Sequence, residues 1–221
     1  MTNSPETILS TTLETDLLTQ QLRREDALLR GHFRLSSGLH SDTYVQCARF
    51  LRRPELAAPA AAALAAQIRA AGLAPDAVVG PAMGGVVIGY ELARQLGIPG
   101  LFTERDAEGL MTLRRGFTIA PGEKIIIAED VVTTGKSTLE VAAVLRALGA
   151  EVLAVASLID RTGGAGGLDF PHFALLPVAA ATFAPESCPL CAAGVPVVKP
   201  GSRPHPNPSL LDSQNPAGEG L

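Results

Sequence analysis

Between Ala77 and Asp160 the chain repeats one pattern: short unbroken apolar runs, with longer stretches of helical periodicity set between them. The runs "AVVG", "GLFTE", "EKIIIAED" and "EVLAVASLID" are rich in β-branched and other apolar residues, and "GGVVIGYELARQLG" and "KSTLEVAAVLRALG" carry apolar positions at helical spacing. Continuous hydrophobicity in a short strand means that both faces of its sheet are covered, and strand–helix–strand units close right-handedly onto a parallel sheet. The expected fold is therefore α/β, a mainly parallel sheet flanked by helices. Ligands of such sheets gather beyond the carboxyl ends of the strands. The turns "GPAMGG", "EDVVTTGKST" and "DRTGGAGG" all stand there.

The flanks are less regular. Thr11 with Glu14 has capping-box spacing, and Leu13, Leu17, Leu18 and Leu22 follow at helical intervals, so an amphipathic helix is expected from about Thr11 to Arg30. "GHFRLSSGLHSDTYVQC" is expected as a hairpin or a strand with a loop around Ser-Ser-Gly. Pro54 opens an alanine-rich helix to Ala71, with Pro59 a possible second start because proline fits only a first turn. Beyond Asp169 come short apolar pieces, then a loose tail with five prolines among residues 199–221. The organisation expected is residues 1–50 as helix and part of a small hood, 51–170 as α/β core, 171–203 as the rest of the hood, and 204–221 as tail.

Composition narrows the function. A formal charge of −4 supplies no broad basic field for nucleic acid, and a chain without Trp and with 4% aromatic residues has few stacking platforms for single strands. No charge-free apolar run of about 18 residues predicts a membrane span, and the first residues lack a signal-peptide pattern. Three cysteines in a chain of 221 residues fit a reducing compartment, so a cytoplasmic location is expected.

The richest stretch is "KIIIAEDVVTTGKST". A nucleotide-binding P-loop would have glycine at the position of Asp130, and two acids would repel a polyphosphate. The residues suit a different ligand. Amides of Thr134, Gly135, Lys136 and Ser137 at a helix start, with hydroxyls of Thr133, Thr134, Ser137 and Thr138, make a nest for one phosphate monoester. Carboxylates at Glu129 and Asp130 accept hydrogen bonds from vicinal hydroxyls. Together they match a ribose 5-phosphate with free 2- and 3-hydroxyls.

This motif resembles the phosphoribosyl diphosphate signature of the type I phosphoribosyltransferases. More narrowly, "GHFRLSSGLHSDTYVQ", "VVGPAMGGVVIGYELARQLG", "LIDRTGG" and "CPLCAAGVPVVKPGSR" resemble the base-site segment, pyrophosphate loop, late strand and C-terminal segment of the orotate phosphoribosyltransferases. The resemblance implies transfer of phosphoribose from phosphoribosyl diphosphate to N1 of orotate, a step of pyrimidine biosynthesis, with Mg2+ as cofactor and a homodimer sharing its active sites. It also implies roles. Glu129 and Asp130 hold the ribose hydroxyls beside the cationic sugar. Ala82, Met83, Gly84 and Gly85 bind pyrophosphate. Arg105, with Arg114 or Arg115 as substitutes, comes from a mobile loop, Thr103 to Gly116, that closes over the site. Arg161, Thr133, Ser36 and the backbone at Tyr44 and Val45 meet orotate. Two departures stand out: relatives often carry lysine at the positions of Gly84 and Ser36.

Alternative functions are transfer to another nucleobase and non-catalytic sensing of phosphoribosyl diphosphate. No direct metal ligand is expected in the site. The pair Cys188 and Cys191 suggests zinc, but Cys47 is the one other cysteine, and His32, His40, His172 and His205 show no ligand spacing, so the pair is expected to be structural without a metal.

Overall fold

The computed structural model describes residues 5–163 and 167–200, leaving the expected proline-rich tail and part of the "DRTGGAGG" turn outside the described residues. Elements follow in the order α1 (Pro5–Arg24), β1 (Leu28–Arg34), β2 (His40–Val45), α2 (Cys47–Leu51), α3 (Pro54–Ala70), β3 (Ala77–Pro81), α4 (Gly84–Leu96), β4 (Gly100–Arg105), β5 (Met111–Leu113), β6 (Lys124–Val132), α5 (Lys136–Ala147), β7 (Glu151–Asp160), β8 (His172–Pro177), β9 (Thr182–Phe183) and α6 (Pro189–Ala192). Two compact units result. The larger comprises Met1–Arg30 with Thr43–Ala180, the smaller Gly31–Asp42 with Ala181–Leu221.

In the larger unit a six-stranded sheet runs β5-β4-β3-β6-β7-β8, parallel except where β5 pairs antiparallel with β4. The expected α/β architecture is present. Alternate residues of the strands supply two different cores. Val78, Ile126, Ala154 and Ala156 pack with Leu64 and Ile68 of α3 and Ile88 and Leu92 of α4. Ala77, Val79, Ile125, Ile127 and Val155 pack with Val141 and Leu145 of α5. Ile125, Ile126 and Ile127 are all fully buried, each worth about 1.5–3 kcal/mol of transfer free energy. This is why the strands read as continuous apolar runs, and it fixes β6 firmly behind the residues at its end.

Three expectations about elements change. Helix α1 begins at Pro5 and ends at Arg24, so Thr11 lies inside it and the chain is already in β1 by Leu28. Its end is set by Asp26, whose φ of 50° is left-handed, with the Ala27 amide donating to the Leu22 carbonyl at 2.7 Å, a closure that stops the helix. Pro59 does not restart α3; it sits inside one continuous helix. The apolar piece "HFALLP" forms β8, in parallel register with β7 from Val155 opposite His172 to Asp160 opposite Pro177.

In the smaller unit His40 and Ser41 of β2 pair with Phe183 and Thr182 of β9, and Phe33 bridges in parallel to Val198. The Leu35 amide donates to the Leu39 carbonyl at 2.8 Å across a turn with Gly38 at φ 86°.

Candidate active site

Strand β6 carries the acids to the carboxyl edge of the sheet. Its pairing with β7 continues past them, with Glu129 opposite Ser157 and Val132 opposite Asp160, so both acids sit on regular strand. Strand alternation separates their surroundings: Glu129 is 5% exposed, whereas Asp130 is half-buried. The chain then turns through exposed Thr133 and Thr134 to Gly135, whose φ of 74° is open to glycine at little cost, and α5 begins at Lys136. The first turn of that helix is tied back to the strand. Ser137 Oγ donates to Glu129 Oε1 at 2.6 Å.

Burial pushes the Glu129 carboxyl up to about 7; the Ser137 hydrogen bond opposes the rise and the Asp130 charge adds to it. Asp130 is likewise raised by burial, against the Val131 amide, which donates to its Oδ1 at 2.8 Å. A carboxyl displaced in this way by desolvation gains when hydroxyl or amide donors reach it.

The turn after β3 meets the acids directly. Ala82 N donates to the Thr103 carbonyl at 2.7 Å, the Ala82–Met83 peptide is cis, and α4 starts at Gly84. A Cβ on Gly84 would lie 2.5 Å from Asp130 Oδ1, and one on Gly85 would lie 2.5 Å from the Ala128 carbonyl oxygen and 2.7 Å from Pro81 Cδ. Glycine at both positions lets the two turns touch. The Met83 side chain is 82% exposed, so what this turn offers an anion is backbone at a helix start. A lysine at position 84 would, on this backbone, drive its Cβ into the Asp130 carboxylate.

Cys47, which sequence reasoning left out of the site, supports the same strand. Its buried thiol donates to the Asp130 carbonyl at 3.5 Å, across a separation of 83 residues that carries no local signal. Val45 and half-buried Tyr44 end β2 one residue before it, and the Tyr44 hydroxyl donates to Oε1 of the intervening Gln46 at 3.1 Å. Arg161 follows β7, its amide donating to the Val132 carbonyl at 2.8 Å, which brings the arginine to the end of β6. Asp160 Oδ1 accepts from the Thr162 amide at 2.7 Å. Ser36 is exposed in the turn between β1 and β2, within the smaller unit.

The segment expected as a closing loop is a hairpin of β4 and β5. Arg105 ion-pairs with Glu140 of α5 and donates to the Gly109 carbonyl at 2.7 Å; Arg115 pairs with Glu104 at 2.9 Å and Arg114 with the same carboxylate at 3.5 Å. The Lys136 ammonium, on a side chain 78% exposed, lies 3.9 Å from Glu140, so this residue's contribution to the turn is its amide.

The structure brings to the cysteine pair two histidines that show no ligand spacing in the sequence: His32 and His40 converge with Cys188 and Cys191 in the smaller unit. His172, by contrast, is engaged with Ser157, Nε2 to Oγ at 2.8 Å, and His205 lies outside the described residues.

With two glycine-opened turns meeting a buried acid pair at the sheet edge, likeness to known proteins becomes decisive. The family model for the phosphoribosyl transferase domain matches residues 50–178. The chain belongs to the phosphoribosyl transferase family. Within the family, the orotate phosphoribosyltransferase of Carboxydothermus hydrogenoformans is 54% identical over 177 residues, which cover 80% of this chain and 92% of that protein. That of Heliobacterium modesticaldum is 50% identical over 181 residues, covering 82% and 94%. Among solved structures, orotate phosphoribosyltransferase from Aeropyrum pernix superposes with a TM-score of 0.63 at 29% identity, covering 73% of this chain and 93% of that one. The matched segment includes the acids, both glycine-opened turns and β7.

Proposed function

We propose that this chain is an orotate phosphoribosyltransferase, converting orotate and phosphoribosyl diphosphate to orotidine 5-phosphate and pyrophosphate in pyrimidine biosynthesis. The observation that carries the reading is the junction of Glu129, Asp130, Ser137 and Gly84: an acid pair raised by burial, bonded to a helix start on one side and touching a second helix start on the other. The amides and hydroxyls of Thr134, Gly135, Lys136 and Ser137 bind the 5-phosphate. The carboxylates accept the ribose 2- and 3-hydroxyls and lie beside the positive charge that the sugar gains as its bond to pyrophosphate stretches. Backbone at Ala82, Met83, Gly84 and Gly85 receives the leaving pyrophosphate.

Arg161, with two parallel donors for a carboxylate, holds the orotate anion together with Thr133 and the backbone at Tyr44 and Val45. Magnesium fits the donors present, since the acid pair and hydroxyls are hard oxygen ligands and this ion keeps several waters while taking the rest from substrate phosphates. Glu129 and Asp130 would face it through those waters, and when bound it would neutralise charge on the diphosphate.

An apolar groove along α4 and β4, about 520 Å³, lined by Leu51, Val87, Tyr90, Leu101 and Phe102, supports the homodimer reading, with Val87 and Tyr90 48% and 68% exposed in the single chain. Arg105 then serves the neighbouring site after leaving Glu140. Mixing Asp130→Asn and Arg105→Ala chains tests this: in a mixed dimer one site regains both groups and activity returns if Arg105 acts across the interface, but stays lost if it acts within its own chain. A cytoplasmic location accords with three free cysteines.

The decisive assay follows the ultraviolet absorbance of orotate after phosphoribosyl diphosphate and magnesium are added. Loss of absorbance with orotate, and no turnover of uracil or purines, is the expected result. Turnover of another base would reassign the acceptor, and tight binding of phosphoribosyl diphosphate without turnover would make the chain a sensor.

A further inference from the structure

The smaller unit raises a question that phosphoribosyl transfer does not answer: what holds it folded? Among the described residues, neither hydrophobic core cluster includes one of Gly31–Asp42 or of residues 181–200. Its interior among the described residues is instead His32, 3% exposed, His40, 7%, Ser41, fully buried, with Phe33 and Cys188. No disulfide links its cysteines. Units this short usually depend on a staple or a metal when apolar burial is insufficient.

We propose that His32, His40, Cys188 and Cys191 form a closed tetrahedral zinc site that takes the place of a hydrophobic core in the smaller unit. The geometry is that of a ligand set. One ligand atom from each residue lies within 4.8 Å of the other three. His32 Nε2 is 2.8 Å from His40 Nδ1, 3.5 Å from Cys188 Sγ and 3.8 Å from Cys191 Sγ, and Cys191 Sγ is 3.3 Å from His40 Nδ1. Zinc bonds of about 2.3 Å to sulfur and about 2.0–2.1 Å to nitrogen place tetrahedral ligand atoms about 3.3–3.8 Å apart, so these four separations depart from that spacing by about half an ångström at most, and the other two lie within 4.8 Å.

An independent feature points to the same ligand. His32 Nδ1 lies 2.8 Å from the Val195 carbonyl oxygen, which accepts its proton and thereby fixes the tautomer with a bare Nε2 turned toward the cluster. Metal-bound histidines ordinarily have such a partner on their other nitrogen. Two thiolates and two imidazoles select zinc among common cellular divalent ions, and four protein ligands leave no open position for substrate, so the role is structural. Binding displaces the two thiol protons to solvent and forms two sulfur and two nitrogen bonds to the metal without redox change. The site joins segments more than 140 residues apart: the β1–β2 hairpin and the turn around α6.

The test uses the full chain, expressed with zinc in the medium and purified without chelator. Elemental analysis is expected to find about one equivalent of zinc per chain, and cobalt replacement to give thiolate-to-cobalt charge-transfer and tetrahedral ligand-field absorption. Cys188→Ser and His40→Ala should each lower bound zinc at least about tenfold and abolish the cobalt bands. Stripping zinc from the unaltered protein should raise amide exchange across residues 31–42 and 182–198 and leave β6 and β7 protected. If Cys188→Ser does not accumulate, Cys191→Ser and the stripped protein give the same readouts. Metal-free protein with unchanged exchange, stoichiometric iron in place of zinc, or a Cys188–Cys191 disulfide in protein prepared under thiol-reducing conditions would each overturn the proposal.

Discussion

Two turns stand at neighbouring strand ends, after β3 and after β6, and each opens a helix with glycine, yet they are built on opposite principles. The first is defined by what it lacks: at Gly84 and Gly85 even one added carbon meets Asp130 or the Ala128 carbonyl, and its large side chain, Met83, faces solvent. The second is defined by side chains, with Ser137 donating to Glu129 and the Val131 amide donating to Asp130. The difference teaches that, on the roles proposed above, anion binding by backbone and sugar binding by carboxylates impose separate demands on sequence, and that bringing the two turns into contact needs glycine on one side and burial on the other.

Substitutions can break that comparison. The largest expected effect is from Asp130→Asn, which should lower kcat about 10²–10³-fold with the melting temperature little changed, as measured by steady-state turnover and calorimetry. Unchanged turnover would remove the acid from the chemistry. Next comes pH. The folded Glu129 pKa, about 7, lies above its ordinary 4.5, so its favourable contribution is complete below about 4.5 and is lost as pH rises to about 7. Ligand-free protein should lose on the order of 3 kcal/mol across that window in urea titrations, and Glu129→Gln should flatten the profile.

Gly85→Ala tests the opposite turn. Its Cβ would meet backbone that cannot yield cheaply, so stability should fall by about 1–3 kcal/mol and phosphoribosyl diphosphate binding should weaken, whereas Gly84→Ala displaces only the Asp130 side chain and should reduce activity with less loss of stability. Equal losses of stability in the two variants would show that the turn does not distinguish backbone from side-chain crowding. The smallest effect is expected for Ser137→Ala: a loss of about 1 kcal/mol, and a further rise of the Glu129 pKa visible as an upward shift of the pH midpoint of kcat/KM.

Much of this was legible in the sequence because the signals are local. The strands of residues 77–160 and both helices between them announce themselves by period, and the acids stand eight residues or fewer from the helix turn that they serve. What failed to show depends on distance or on a single conformation. Asp26 ends α1 early through a left-handed φ that no periodicity encodes. The strand β8 is short and half-buried, so its pattern resembles any apolar fragment. Cys47 beneath Asp130, Glu140 opposite Arg105, and two histidines beside a distant cysteine pair become neighbours only once the sheet and hairpin are in place.

The Cys47 thiol illustrates what such a neighbour does beyond filling space. Burial, with the two acid charges behind it, holds its pKa well above the ordinary value, and its proton is given to the Asp130 carbonyl. Sulfur in that condition is a poor nucleophile. Peroxide or an alkylating reagent that consumes exposed thiols should therefore spare the strand that carries the acids, although it is built over a cysteine.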